Sequence, residues 1–370
     1  MSHLKTALAL VLAGSIAATA ATAAEKVRIG FNVPLTGFAA ADGTSALTGA
    51  KLAVEQANTE GGVNGKQIEL VIYDDQASPK ESAPIAAKLA TQDRVNIAIS
   101  GSYSGATRAA ANVFQSNGVP YISAYAVHPG ITKAGDFVFR TSFVGEVQGR
   151  AGAKLVGETL GKKKTVVITL KNDFGKSLAV GFKEAAGKFG VDVVNEYEYS
   201  IKDRQFGPIV SKVKADNPEA IYASGYFFTA GPLVSQLRAA GITVPIIGQE
   251  GYDSEKFIEI AGKSAEGVII TTSLDRDSTV AETKNFIMAY EKLAKAKPDM
   301  VAAMRVAGTD DRKAIRDAIA GLKLKASTGD ISFNKLGEVR KDVQVQVVRG
   351  GAWHRHSVIS DPALLAPPTE

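Results

Sequence analysis

The sequence predicts an α/β protein with two lobes, each built on a doubly wound parallel sheet covered on both faces by helices. Apolar segments of strand length alternate with amphipathic segments of helix length through most of the chain, and this alternation is typical of such sheets. The chain has 370 residues, which is long enough for two domains with separate cores. The two lobes resemble each other in pattern only, since no short-period repeat relates them.

The first lobe is predicted from a series of segments that begins near residue 26. The strand KVRIGFNVPL is followed by a helix over 44–58 and by the strand QIELVIYDD, which the turn GGVNG introduces. The series then continues with a helix over 79–92, the strand VNIAIS, a helix over 106–117 and the strand VPYIS.

A second series of the same kind begins near Glu146 and predicts the second lobe. Its strands are KTVVITL, VDVVNEYEY, EAIYAS and VPIIG, and its helices are expected over 175–190, 206–215 and 229–240. The segment FVFRTSFVGEVQG joins the two series without a Pro/Ser-rich linker. We therefore expect short strands, and not a loose tether, between the lobes.

The N-terminus has the features of a secretory signal. Lys5 is followed by an uncharged run over 6–24 that ends in small residues, and the apolar core is too short for a confident membrane span. We expect residues 1–24 to be removed and the mature protein to be periplasmic. Cysteine is absent, which excludes disulfides, thiol catalysis, cysteine zinc sites and a lipid-modified N-terminal cysteine.

The remaining composition argues against nucleic-acid binding and catalysis. The net charge is only +5, and the basic residues are spread along the chain, so we expect no nucleic-acid partner. The sequence has no H-E-x-x-H, no G-x-S-x-G and no cysteine nucleophile, and of its four histidines only His128 follows a candidate binding segment. We expect no enzymatic activity, no cofactor and no metal; the pair Asp74-Asp75 is interpreted as a solvated turn.

The turn GSYSG, between the strand VNIAIS and an Ala-rich helix, is the first candidate binding element. The first N–H groups of a helix have no internal partner and the helix dipole is positive there, so this turn favours an anion. The G-x-x-x-G spacing matches neither the dinucleotide pattern G-x-G-x-x-G nor the phosphate-loop pattern G-x-x-x-x-G-K-[ST]. A smaller anion, such as a carboxylate, is the better candidate.

Further polar and aromatic residues follow the predicted strands at their C-terminal ends, where open parallel sheets bind ligands. Ser104 offers a hydroxyl at the helix start, and Glu250 offers a carboxylate to a cation. Tyr125, Phe174 and Tyr226 offer aromatic walls, so a zwitterion with an apolar side chain satisfies the whole set. Each residue also has an ordinary interpretation: Ser104 as a helix cap, Tyr226 as core packing and Glu250 as a surface acid.

Several longer blocks resemble one known family. They are PLTGFAAADGTSALTGAKLAVEQANTEGGVNGKQIELVIYDDQASP, FRTSFVGEVQG, NDFGKSLAVGFKEA, GYFFTAGPLVSQLRAAGI and GQEGYDSEKFIEIAGKSAEGV. In order and content they resemble the periplasmic leucine/isoleucine/valine-type (branched-chain amino acid) binding proteins of ABC importers. The resemblance implies a type I periplasmic binding fold with a three-segment hinge. It places lobe one at 25–145 and 277–325, and lobe two at 146–276 and 326–370.

The resemblance also implies roles for the candidate residues. Ser104 falls on the carboxylate-binding serine, Phe174 on an aromatic wall, Tyr226 on another aromatic contact and Glu250 on the ammonium-binding acid. The chain departs from the family pattern over residues 125–127, where Tyr125, Ala126 and Val127 replace Ser/Ala-Ala/Ser-Thr. These three residues are expected at the ligand as well, but they weaken the expectation of a leucine-like ligand.

A second departure lies near Met304 and Arg305. The chain appears about a dozen residues shorter there than the family pattern, which corresponds to about three helical turns.

The resulting expectation is a monomeric periplasmic solute-binding protein. It would capture a small amino acid or related carboxylate, with a branched-chain amino acid as the first choice, and deliver it to an ABC permease in the inner membrane. The alternative is a ligand-sensing receptor domain of the same fold that regulates a partner protein.

Overall fold

Two sheets form the centres of two lobes in the computed structural model, which describes residues 26–294, 311–326 and 328–369. The prediction of an α/β protein with two parallel-sheet lobes is confirmed. The shortened segment expected near Met304 and Arg305 lies outside the described residues. The lobe boundaries taken from the family resemblance stay predictions.

The first sheet has five strands, and all of them pair in parallel. Its strands are β1 (Val27–Val33), β2 (Ile68–Asp74), β3 (Ile97–Ser100), β4 (Tyr121–Ser123) and β5 (Val138–Arg140). They pair in the order β2-β1-β3-β4-β5. The helices that alternate with these strands are α1 (Ala40–Thr59), α2 (Pro79–Thr91) and α3 (Ser104–Ser116).

The second lobe repeats the alternation after β5. Its parallel strands are β6 (Lys164–Leu170), β7 (Asp192–Tyr199), β8 (Ala220–Ala223), β9 (Ile246–Gly248) and β10 (Ile269–Thr272). Its helices are α4 (Gly145–Lys154), α5 (Asp173–Ala186), α6 (Gly207–Asp216), α7 (Phe227–Ala239) and α8 (Glu255–Ala261). Strands β6 and β8 are almost fully buried, as expected for apolar central strands of a sheet that helices cover on both faces.

The last part of the chain contributes to both lobes. It contains α9 (Ala281–Ala294), α10 (Arg312–Ala320), β11 (Lys323–Ala326), β12 (Gly329–Ser332), β13 (Val343–Arg349) and β14 (Ala352–Ile359). The second sheet has the order β14-β13-β10-β9-β8-β6-β7, so β13 and β14 extend it on the β10 side by antiparallel pairing. On the first lobe, α9 lies against α1, where Ser45 and Tyr290 share a 2.9 Å hydrogen bond.

The described chain passes between the lobes in three places. These are the segment between β5 and α4, the segment between β10 and α9, and the segment over 333–342 that precedes β13. In the last of these, Phe333 packs edge-on against Phe139 of the first lobe, and the backbone N–H of Arg140 donates to the Gly337 carbonyl at 2.9 Å. The third connection is therefore attached to the edge of the first sheet before it enters the second.

A buried ion pair strengthens this attachment. The Arg140 guanidinium lies 3.0 Å from Oε1 of Glu338, and both side chains are almost fully buried. Arg140 also donates to the Ala126 carbonyl at 3.1 Å and to the His128 carbonyl at 2.9 Å, while Thr132 donates to Glu338. Arg140 thus connects the loop after β4 to the third inter-lobe connection.

Glu338→Gln should lower the free energy of unfolding by about 3–5 kcal/mol, because it leaves the Arg140 charge buried without its partner. Asp317→Asn is the matched control, since it breaks the surface pairs of Asp317 with Lys313 and Arg316 on α10 and should cost less than about 1 kcal/mol. Denaturant unfolding of both variants followed by circular dichroism tests this. Equal, small effects would show that the buried pair contributes no more than a surface pair.

Candidate functional site

A small cavity lies where the strand ends of the two lobes face each other. Its volume is about 20 Å³, and it is lined by Asp42, Tyr103, Ser104, Tyr125, Ala126, Phe174, Tyr226, Glu250 and Gly251. Six of the seven residues proposed from the sequence line this cavity. The exception is Val127, whose side chain is buried and whose backbone N–H donates to the Ser104 hydroxyl at 3.3 Å. Asp42, Tyr103 and Gly251 were not predicted.

The turn that carries Ser104 is held rigidly between β3 and α3. Ser100 and Thr107 share a 2.6 Å hydrogen bond across the turn, and the Thr107 hydroxyl also bonds to the Ser102 carbonyl at 3.0 Å. Ser104 is the first residue of α3. The hydroxyl of Ser104 therefore sits at the positive end of a 13-residue helix, where an anion is stabilised.

Asp75 also holds this turn in place. The interpretation of Asp75 as part of a solvated turn was wrong, because its side chain is buried. Its side chain is fully buried and accepts hydrogen bonds from Ser102 at 2.9 Å, Asn32 at 2.9 Å and Ser82 at 3.3 Å. Burial raises the pKa of Asp75, and these hydrogen bonds oppose that rise. A carboxylate that organises three strand ends in this way is a structural element of the turn.

Two tyrosines from the first lobe are fixed in the cavity by hydrogen bonds. The Tyr103 hydroxyl donates to Oδ2 of Asp42 at 2.6 Å, and the Tyr125 hydroxyl donates to the Gly101 carbonyl at 2.7 Å. The sequence held a signal for Asp42 and Tyr103, two of the three lining residues that were not predicted. Tyr103 lies inside the turn that carries Ser104, and Asp42 lies in the first turn of α1, the helix that follows β1.

The second lobe supplies the opposing aromatic wall. The Tyr226 ring stacks on Tyr103 with a centroid distance of 4.0 Å and an interplanar angle of 2°, and on Phe174 with a centroid distance of 4.8 Å. Tyr226 caps α7, where its backbone N–H bonds to the Thr229 hydroxyl at 3.1 Å. The stack therefore joins a ring fixed in one lobe to a ring fixed in the other.

Two further contacts bring the lobes together at the outer edge of the cleft. Arg108 of α3 lies 2.9 Å from the carboxylate of Asp173 at the start of α5. The rings of Phe38 and Phe228 have a centroid distance of 5.3 Å. Together with the tyrosine stack, these contacts describe a closed cleft.

Glu250 is the most unusual polar group at the site. It follows β9 in a single 3-10 turn, it is only 6% exposed, and neither carboxyl oxygen has a hydrogen-bond partner among the described residues. Burial raises the pKa of Glu250 to about 8, even though the charges of Lys341 and Arg140 lower it; Asp253 raises it further. An unpaired buried carboxyl group of this kind favours a cationic or hydrogen-bond-donating ligand.

Two glycines allow Glu250 and Tyr226 to lie side by side. A Cβ at Gly251 would be 2.2 Å from the carbonyl oxygen of Gly225, so the two backbones touch at this point. This contact sets the distance between the loop after β8 and the loop after β9.

Gly251→Ala should therefore destabilise the protein by about 1–3 kcal/mol. The new methyl group would overlap the carbonyl oxygen of Gly225, which can move away only if the backbone moves. Gly187→Ala is the control, since a Cβ at Gly187 meets nothing within 4 Å and its φ of −60° suits alanine. Thermal unfolding of the two variants tests the difference. An unchanged Gly251→Ala protein would show that the two loops separate at little cost.

A metal-holding cluster and a membrane-spanning helix are both absent from the part of the chain that the structure describes. Within residues 26–294, 311–326 and 328–369, no group of three or more His, Cys, Asp or Glu residues could hold a metal ion. Over the same residues, no helix combines the length and apolarity needed to span a bilayer. The arrangement at the cavity is one of recognition: a hydroxyl at a helix N-terminus, an unpaired acid and a stack of rings.

A cavity between two α/β lobes, lined by polar and aromatic side chains from both, is the arrangement of a two-lobed solute-binding protein. The chain belongs to the periplasmic binding protein family, whose sequence pattern matches residues 26–352. It is therefore an ABC transporter solute-binding protein and not an enzyme.

Individual relatives agree with this assignment. The leucine-, isoleucine-, valine-, threonine- and alanine-binding protein of Pseudomonas aeruginosa is 28% identical over 348 residues, which are 90% of this chain and 91% of that protein. The isoleucine complex of a branched-chain amino acid transporter substrate-binding protein from Streptococcus pneumoniae is 30% identical, with a TM-score of 0.84 over 90% of this chain and 99% of that chain. A benzoate complex of an R. palustris ABC-transporter solute-binding protein shares the fold at 23% identity, with a TM-score of 0.82 over 90% and 96% of the two chains.

Proposed function

We propose that this protein captures a free α-amino acid in the periplasm and delivers it to an ABC permease in the inner membrane. The ligand carboxylate binds the Ser104 hydroxyl and the N-terminus of α3, and the ligand ammonium binds Glu250. Phe174 and Tyr226 enclose the ligand from the second lobe, and Tyr125, Ala126 and the backbone of Val127 support the Ser104 side. The name of the P. aeruginosa relative, which includes branched-chain and smaller amino acids, supports an amino-acid ligand.

The unpaired carboxyl group of Glu250 is the observation that carries this proposal. A buried acid without hydrogen bonds costs free energy in the absence of a ligand. An ammonium group brings three N–H donors and a positive charge, so it satisfies both oxygens at once.

The charges at the cavity favour a zwitterion over a simple carboxylate. Two acids, Asp42 and Glu250, line the cavity, and none of its nine described lining residues is Lys, Arg or His. A benzoate-like anion would gain from the α3 terminus but would meet two carboxyl groups, whereas an amino acid offers a cation to Glu250.

Lobe closure provides the binding mechanism. Ser104 belongs to the first lobe and Glu250 to the second, so an amino acid bridges them only when the cleft is closed. Such a ligand shifts the equilibrium between open and closed forms by its extra affinity for the closed form. Branched-chain specificity stays a prediction, because these contacts recognise groups that all α-amino acids share.

The ligand is to be found by a thermal-shift screen of the twenty amino acids, and the site is then tested by calorimetric titration. Glu250→Gln should lose roughly 2–5 kcal/mol of binding free energy, because the ligand ammonium is left buried without an opposite charge. Ser104→Ala should lose less, about 0.5–1.5 kcal/mol, since the amides of α3 still reach the carboxylate.

Glu255→Gln, an exposed acid on α8, is the matched control and should bind like the wild type. If Glu250→Gln and Ser104→Ala also bind like the wild type, the ligand does not occupy this cavity.

Binding should also release a proton. The pKa of Glu250 is about 8 in the closed protein, so the carboxyl group is mostly protonated at pH 7. An ammonium beside it stabilises the carboxylate and lowers that pKa, which expels the proton. The affinity should therefore rise from pH 6 to pH 8 by up to about tenfold for each pH unit.

Calorimetry in buffers of different ionisation enthalpy measures this proton directly. The wild type should release close to one proton at pH 6.5 and Glu250→Gln none. Lys341, whose pKa burial lowers to about 8, is the other group that titrates near Glu250, so Lys341→Gln serves as its control. Proton uptake, or release that persists in Glu250→Gln, would contradict the proposed role of Glu250.

A further inference from the structure

We infer that Asp253 is a positioning residue for Glu250, and that its buried ion pair with Arg276 fixes the Glu250 turn to the second connection between the lobes. That connection is the segment between β10 and α9. The inference rests on the proposed function, because it explains how the acid that binds the ligand ammonium is held in place. Asp253 is not one of the described residues that line the cavity, so it acts through Glu250.

The turn that carries Glu250 is short. It is a single 3-10 turn over Glu250–Tyr252, in which the Tyr252 N–H donates to the Gln249 carbonyl at 2.8 Å. The Asp253 N–H closes the turn by donating to the Glu250 carbonyl at 3.0 Å. One turn of helix is weakly held by its backbone alone, so the direction of the Glu250 side chain depends on the contacts of neighbouring side chains.

The Asp253 side chain is fully buried and holds the turn in two directions. Its Oδ1 atom lies 2.6 Å from Nη2 of Arg276, with the alignment of an ion pair and not of a hydrogen bond. Its Oδ2 atom accepts a hydrogen bond from the hydroxyl of Thr272, the last residue of β10. One carboxylate therefore attaches the Glu250 turn to the neighbouring strand end and to the connection that leaves it.

Arg276 is itself fixed by β13, the strand that follows the third connection. Its side chain is almost fully buried, and Nη1 donates to Oε1 of Gln346 at 3.1 Å. Gln346 is buried in β13, and its Nε2 atom donates to the Leu274 carbonyl at 2.7 Å. The Glu250 turn is therefore the end of a continuous network of polar contacts. Removal of either partner of a buried ion pair leaves an uncompensated charge, so this network resists displacement.

The charge of Asp253 also acts on Glu250. Lys341 and Arg140 lower the pKa of Glu250, and Asp253 raises it. The other titratable groups beside it are those that line the cavity: Asp42, Tyr103, Tyr125 and Tyr226. The protonation of Glu250 therefore reports whether the Asp253 charge and its counterion Arg276 are in place.

The test follows the Glu250 carboxyl carbon by ¹³C NMR in extensively dialysed protein without added ligand. The resonance is assigned by its loss in Glu250→Gln, and its pH titration is then measured. Asp253→Asn removes the charge of the acid with little change of shape, and Arg276→Gln removes the counterion. Asp275→Asn is the matched control, because Asp275 lies in the same connection, pairs with Arg355 and has no described bond to the Glu250 turn.

The wild-type carbon should titrate with a midpoint near pH 8, since the pKa of Glu250 is about 8. Asp253→Asn should lower this midpoint by about one pH unit, because a like charge is lost. Arg276→Gln should raise it, because Asp253 then lacks its counterion, and Asp275→Asn should leave it unchanged. General loosening of the turn would expose the carboxyl group and lower the midpoint in both variants, so shifts of opposite sign identify the specific contact.

Either variant decides the question if the other does not fold. A midpoint in Asp253→Asn equal to that of Asp275→Asn, or a midpoint in Arg276→Gln that is not above it, would overturn the inference.

Calorimetric titration with L-leucine and L-alanine at pH 9 tests position apart from protonation. Glu250 is mostly ionised there in the wild type and in Asp253→Asn, so the two proteins differ in how the carboxylate is held. Asp253→Asn should bind the amino acid at least about threefold more weakly than the wild type, and Asp275→Asn should bind it equally well.

Equal affinity in Asp253→Asn would overturn the positioning role and leave the amino-acid proposal intact. If neither L-leucine nor L-alanine binds to the wild type, the carbon titration alone decides the role of Asp253. If no amino acid of the screen binds, the proposed function fails, whereas the midpoints of the carbon titration still decide how Glu250 is held.

Discussion

The site depends first on the buried ion pair between Arg140 and Glu338. Arg140 ends the last strand of the first sheet, and Glu338 belongs to the third connection between the lobes. Because Arg140 also binds the carbonyls of Ala126 and His128, one guanidinium holds both the hinge segment and the loop that lines the cavity. Two ions are removed from water here, and only this set of hydrogen bonds makes their burial tolerable.

This arrangement relates ligand recognition to lobe movement. Arg140 donates to two carbonyls of the loop after β4, and in the same loop the backbone N–H of Val127 donates to the Ser104 hydroxyl. The opposing groups, Tyr226 and Glu250, stand on adjacent strand ends of the second lobe, where Gly225 and Gly251 touch. Each half of the site is therefore rigid within its own lobe, and the hinge brings the two halves together.

The family fold leaves the choice of ligand to a few side chains. The benzoate-binding protein and the isoleucine-binding protein share this architecture with similar TM-scores, so the backbone does not decide between their ligands. In this chain the cavity combines two acids with a stack of rings and no basic residue among its described lining. The unpartnered carboxyl group of Glu250 and the stack of Tyr103 on Tyr226 are the side-chain features of this cavity that bear on its ligand.

The sequence by itself determined the two-lobed α/β architecture and proposed the residues of the candidate site. Strand and helix periodicities are local, so they predicted both sheets. The rule that ligands bind at strand ends then selected Ser104, Phe174, Tyr226 and Glu250 without knowledge of their distances. The same rule selected Tyr125, whereas Ala126 was proposed from the family resemblance; both line the cavity, and their roles at a ligand stay predictions.

Only the tertiary structure decided which of these groups have partners. Asp42 and Tyr103 are 61 positions apart, and Arg140 and Glu338 are 198 apart, so no local pattern reveals either pair. Asp75 was wrongly interpreted as solvated, because its burial depends on residues that are distant in the sequence, among them Asn32 and Ser102. The sequence selected Glu250 as a candidate cation-binding acid, but it could not show that the carboxyl group is buried without a partner, because that follows from the packing of distant segments around it.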